Sequence, residues 1–99
     1  MMESTKVILN EDNIYGEVQL FSENKSAGKM DISVSGGKLR VYHTEVYPEH
    51  EGKGFAKVLL NKLVSHAREN DLRIIPLCPY VLAQFKRHPE EYTDVWLKK

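Results

Sequence analysis

The sequence predicts an α+β fold, a mainly antiparallel sheet with two helices, and three observations carry that prediction. Apolar residues recur at every second position through most of the chain up to Tyr47. At Pro48 that period stops, and from Gly54 the apolar spacing is that of a helix. Beyond a further short strand, Cys78-Pro79 opens a second helix. A single domain covers the chain (residues 1–99, core about 6–97), because two independent cores in 99 residues would each be marginal.

Taken in order, residues 6–10 hold a brief apolar run, Val7, Ile8 and Leu9, followed by the turn-like Glu11-Asp12-Asn13. Ile14, Gly16, Val18, Leu20 and Ser22 then alternate with Tyr15, Glu17, Gln19 and Phe21, a strand pattern. Over residues 29–35, Met30, Ile32 and Val34 share one face, and Gly36-Gly37 signals a hairpin turn. Strict alternation over residues 38–47 puts Leu39, Val41, His43 and Glu45 on one face and Arg40, Tyr42, Thr44 and Val46 on the other. Phe55, Val58, Leu59, Leu63, Val64 and Ala67 form one helical stripe, which Asn70-Asp71 ends. Burying its five larger side chains contributes about 7–15 kcal/mol as an upper bound. Residues 72–77 read as a short strand whose Pro76 belongs at an edge or where neighbouring strands separate. The second helix runs to Arg87, Pro89 closes it, and residues 94–97 read as a last short strand.

Composition removes whole classes of function. Fourteen Lys+Arg balance fourteen Asp+Glu, so the basic excess of a nucleic-acid binder is missing. No stretch reaches the ~20 apolar residues that span a bilayer, and the start has no signal-peptide pattern. A cytoplasmic location and no membrane partner are therefore expected. Cys78 is the only cysteine, which rules out an internal disulfide and any CxxC site. His43, His50, His66 and His88 are scattered without metal-ligand spacing, so no metal is expected.

Three places can carry chemistry. Gly52-Lys53-Gly54 precedes a helix start, where unpaired N–H groups suit an anion and Lys53 and Lys57 add charge. The same residues also read simply as a glycine-rich turn. They fit neither a Walker A loop nor a dinucleotide fingerprint, which need a Gly-Lys-Ser/Thr or a third glycine. Cys78, the expected N-cap of the second helix, is either a small buried side chain or a thiol facing the positive end of a macrodipole. His43 and Glu45 continue an apolar stripe, so they either line a cleft as a proton acceptor or satisfy the core.

The order strand, Gly-x-Gly turn, amphipathic helix, strand, short helix resembles the GNAT acetyltransferases. Their signature, Arg/Gln-x-x-Gly-x-Gly/Ala, falls on Glu49-His50-Glu51-Gly52-Lys53-Gly54, with Glu49 where Arg or Gln is usual. Three blocks resemble the compact YjdJ-type branch of that superfamily. They are His43-Thr44-Glu45-Val46, then Glu51-Gly52-Lys53-Gly54-Phe55-Ala56, then Pro76-Leu77-Cys78-Pro79-Tyr80-Val81 followed by Arg87-His88-Pro89-Glu90. The resemblance covers nearly the whole chain and implies a minimal GNAT fold, its sheet splayed between residues 39–47 and 73–77.

It also implies acetyl-CoA as co-substrate, with the pantetheine arm in the opening and the pyrophosphate on residues 52–57. The cofactor-binding residues expected are Thr44, Val46, Glu51, Gly52, Lys53, Gly54, Phe55, Ala56, Lys57 and Cys78. The catalytic candidates are Cys78, His43, Glu45 and Tyr80, the tyrosine lending its hydroxyl to the departing CoA sulfur as in relatives. Family members transfer the acetyl group directly within a ternary complex, and Cys78 offers a covalent alternative. Full-sized members carry N-terminal helices that shape the acceptor site, for which residues 11–29 are too short and too strand-like. The function expected is an N-acetyltransferase acting on an unidentified amine; the alternative is a non-catalytic acyl-CoA-binding module or sensor.

Overall fold

The computed structural model describes residues 2–98. Its five strands lie in sequence order across one sheet: β1 Glu3–Leu9, β2 Tyr15–Ser22, β3 Lys25–Ser35, β4 Lys38–Val46 and β5 Arg73–Pro76. The first four are joined antiparallel by tight turns. Helix α1, Phe55–Glu69, is the crossover that brings β5 back parallel to β4, and α2 is Pro79–Arg87. The expected α+β sheet with two helices is the observed fold.

Hydrophobic alternation builds one covered face. Val18, Met30, Ile32, Leu39, Val41 and Ile74 point into it and are at most 1% exposed. Helix α1 lays Phe55, Leu59, Leu60, Leu63, Val64 and Ala67 over them. Helix α2 joins α1 on this side, because Phe85 stacks on Tyr92, which borders Val64 and Arg68 of α1. The opposite face carries Tyr15, Glu17, Gln19, Lys29, Asp31 and Tyr42, all exposed or half-buried.

Four differences from the sequence reading have local causes. Strand β1 begins at Glu3 rather than residue 6, because its polar first half pairs with β2 from Glu3↔Ser22 onward. Strand β3 begins at Lys25 rather than residue 29, and Ala27 is an extra residue between the pairs Leu20↔Gly28 and Phe21↔Ser26. The strand expected at residues 94–97 shrinks to a single bridge, Ile74↔Trp96, because the 3-10 turn Pro89–Glu91 delivers the chain only briefly to the β5 edge.

The fourth difference matters most. The register steps from Asp31↔His43 to Ile32↔Val41, so Tyr42 is a bulge in β4. One extra residue reverses the parity of everything beyond it. Thr44 pairs with the buried Met30 and Val46 with Gly28, so both join Leu39 and Val41 on the helix face. His43 pairs with Asp31 and Glu45 with Lys29 on the uncovered face. The expectation that His43 and Glu45 share a face with Leu39 and Val41 is thus corrected.

Candidate functional site

Strands β4 and β5 part company midway. Their parallel pairing ends at Val41↔Pro76, while β4 continues to Val46. Pro76 sits at the last pair, where its missing N–H does least harm. The N–H groups of Leu77 and Cys78 both donate to the Val41 carbonyl, at 3.0 and 2.9 Å, which turns the chain away from β4 and into α2. Residues 42–46 are left with a strand edge that no described strand pairs.

Cys78 stands in this opening. It is the N-cap of α2 with extended backbone, and Pro79 takes the first helical position. Its thiol is 2% exposed and lies 3.2 Å from the Thr44 hydroxyl, a contact that spans the gap between the diverging segments. Tyr80 is half-buried one step into α2. Burial, then the nearby Tyr92 and Cys78, raises its phenol above the usual tyrosine range, so it is a proton donor at neutral pH.

At the far end of β4, a 3-10 turn at Pro48–His50 leads into Gly52-Lys53-Gly54 and α1. Gly52 and Gly54 adopt left-handed conformations, φ +82° and +75°, which cost other residues about 1–2 kcal/mol. Gly54 is the N-cap of α1 and supplies no side-chain cap, so the first N–H groups of the helix are left for another acceptor. Nothing lies within 4 Å of where a Cβ would stand on either glycine, leaving the backbone open to close approach. Beside this turn, His50 packs on Phe55 with ring centroids 5.8 Å apart, and its buried Nδ1 has no hydrogen-bond partner among the described residues. Lys53 lies over the same Phe55 ring at 5.9 Å, while Lys57 is exposed. An uncapped, positively flanked helix start with free space above it fits a phosphate.

The structure therefore gathers the expected residues into two groups at one opening. Thr44 and Cys78 touch at its mouth, Tyr80 follows in the first turn of α2, and Thr44 and Val46 share the face on which α1 begins. His43 and Glu45 lie on the other side of β4. No cluster of three or more His, Cys, Asp or Glu forms a metal site among the described residues. Likewise, no helix among them is long and apolar enough to cross a membrane. The sequence reading did not find the Tyr42 bulge or the unpartnered His50.

Comparison with known proteins decides the family. The profile described as GCN5-related N-acetyl-transferase matches residues 17–95. The chain belongs to the GCN5-related N-acetyltransferase family. Among solved structures, a GCN5-like protein from Staphylococcus aureus is similar at 29% identity and TM-score 0.66, covering 95% of this chain and 89% of that one. The ribosomal-protein-S18-alanine N-acetyltransferase of Escherichia coli shares the fold at 14% identity and TM-score 0.65, covering 76% of this chain. The ribosomal-protein-alanine N-acetyltransferase of Brucella melitensis biovar Abortus 2308 does so at 19% identity and TM-score 0.64, covering 90%. This GCN5-related chain spans 66% of each of those two enzymes. No curated protein matches it.

Proposed function

We propose that this chain binds acetyl-CoA and transfers the acetyl group to an amine. One observation supports the reading above the others: β4 loses its partner at Val41, and the chain then runs through a short turn into an uncapped helix start. An unpaired strand edge suits the amide-bearing pantetheine arm, and free helix N–H groups suit the pyrophosphate. In this reading the backbone of residues 52–57 holds the pyrophosphate, with Glu51, Lys53, Phe55, Ala56 and Lys57 shaping the turn. Thr44, Val46 and Cys78 flank the arm. Tyr80 donates its proton to the departing CoA sulfur.

The bulge gives donor and acceptor separate sides of the sheet. Thr44 and Val46 face the acetyl-CoA side, whereas His43 and Glu45 face the side without helices. An ammonium acceptor must lose a proton before attacking a thioester carbonyl, and His43 or Glu45 takes it there. Replacing either by Gln is expected to lower turnover about 100-fold while acetyl-CoA affinity stays within about two-fold. Normal turnover in both single variants and in the double variant would assign deprotonation to water.

A second reading is favoured by one observation. His43 and Glu45 are exposed, and no side-chain hydrogen bond holds either among the described residues. A non-catalytic acyl-CoA-binding module needs no fixed base. Calorimetry with acetyl-CoA, followed by free-thiol release with a panel of amines, separates the two. Binding with sustained thiol release identifies a transferase; binding without release for any amine identifies a module; no binding removes both.

A further inference from the structure

The two side chains placed on either side of the pantetheine arm already touch. Thr44 Oγ1 lies 3.2 Å from Cys78 Sγ, and the cysteine is 2% exposed. A chain of methylenes and amides needs about 3.5–4 Å of contact distance on each side, so about 7–8 Å between its walls. The opening is therefore shut at the level of this pair. Neither backbone is free to retreat. Strand β4 is paired with β3 as far as Gly28↔Val46, and a Cβ on Gly28 would meet the Glu45 carbonyl oxygen at 2.6 Å, so the two strands are tightly apposed. On the other side, the N–H groups of Leu77 and Cys78 are anchored on the Val41 carbonyl, and that of Leu82 on the Cys78 carbonyl. Val81 and Phe85, both fully buried, hold α2 in the core.

What can move is the pair itself. Sulfur is a weak hydrogen-bond partner, and Thr44 Oγ1 makes no other hydrogen bond among the described residues. Thr44 is half-buried and branched at Cβ, so its side chain has a few discrete χ1 settings rather than a continuum. The bulge at Tyr42 is what carries it to the helix face and onto Cys78. We infer that Thr44 is a gate: in the unliganded chain its hydroxyl closes over the Cys78 thiol, and an entering thioester arm swings it aside while β4 and α2 stay in place. Closed, the gate keeps electrophiles in solvent away from the sulfur. Open, it uncovers that sulfur only where the arm has taken the space. The gate rests on the proposed acetyl-CoA binding for what opens it, but not for the shielding of the thiol.

Two measurements test the gate and the acetyl-CoA reading separately. The first is alkylation of Cys78 by iodoacetamide without acetyl-CoA, followed by intact mass. Thr44→Ala is expected to speed it by about ten-fold or more, and Thr44→Ser, which keeps the hydroxyl, to stay within about two-fold of the unmodified chain. Equal rates in Thr44→Ala and the unmodified chain overturn the gate. A rate in Thr44→Ser as high as in Thr44→Ala overturns it too, because a loosened core would then be the cause. The second measurement locks the gate. In Thr44→Cys, diamide takes two electrons and two protons from the facing thiols and joins them by a disulfide across the opening. Calorimetry should then find acetyl-CoA affinity about ten-fold or more below that of the same protein after dithiothreitol. Equal affinity in the bridged and reduced forms, or failure of the bridge to form, overturns the gate. No binding by the unmodified chain removes the acetyl-CoA reading, and the alkylation ratio alone then decides the gate.

Discussion

Cys78 answers to three demands at once: it caps α2, it closes the core beside Val81, and it touches Thr44 across the opening. A thiol placed there, next to a thioester, can exchange with it at almost no net cost, because one thioester replaces another. In that step the Cys78 sulfur would bond to the acetyl carbon as the bond from that carbon to the CoA sulfur breaks; Tyr80 would give its proton to the departing sulfur and regain, through solvent, the one that Cys78 releases. We therefore predict that incubation with acetyl-CoA adds one acetyl group, mapped to Cys78 by peptide mass and absent in Cys78→Ala. An unmodified thiol together with full turnover in Cys78→Ala would leave direct transfer as the route. The Tyr80 phenol, raised by burial, stays protonated through neutral pH, so Tyr80→Phe should slow transfer by about 10–100-fold with acetyl-CoA affinity unchanged. A loss of affinity equal to the loss of rate would make Tyr80 a packing residue instead.

At the scale of elements, the start of α1 is the part most exposed to a single change. A side chain at Gly54 meets no protein atom within 4 Å, so what it obstructs is the space above the turn. Gly54→Val should abolish most acetyl-CoA binding while the domain stays folded, at a cost of about 1–2 kcal/mol for a left-handed, non-glycine residue. Calorimetry showing unchanged affinity in a folded variant would move the phosphate site elsewhere. This turn, the helix behind it and the site of Pro76 were legible in the sequence, because each is dictated by local chemistry: glycine conformation, a 3.6-residue stripe, a missing N–H. The division of β4 was not. Alternation assumes that every residue advances the pleat, and nothing in Tyr42 announces that it is stepped over. The bulge is a property of the β3–β4 pair, so it appears only once both strands are in register.

For the whole molecule, the opening depends on β5 being held at its outer edge while its inner edge separates from β4. The C-terminal segment does this holding. Ile74 donates to the Val95 carbonyl at 2.6 Å and accepts from Leu97 at 2.9 Å, and the Phe85 ring stacks on Tyr92 at 4.5 Å. Arg68 of α1 ties the segment down, its Nε and Nη2 donating to Asp94 at 2.8 and 3.2 Å and its Nη2 also to the Glu91 carbonyl at 2.8 Å. Hydrogen bonding from Arg68 holds the Asp94 carboxyl below the ordinary aspartate range. A carboxyl depressed in the folded state stabilises it above the unfolded value of about 3.9 and loses that contribution as pH falls through the lower folded value. The pair is exposed, so its worth at neutral pH lies within the about 0–1 kcal/mol of surface ion pairs. Asp94→Asn should therefore lower Tm slightly at pH 7, and the gap from the unmodified chain should close as the pH drops below about 4. Thermal unfolding of both chains from pH 7 to pH 3 reads this directly. A gap that stays constant across that range would mean that Asp94 acts through its shape and hydrogen bonds alone, and that its charge does not help fasten the C-terminal segment to α1.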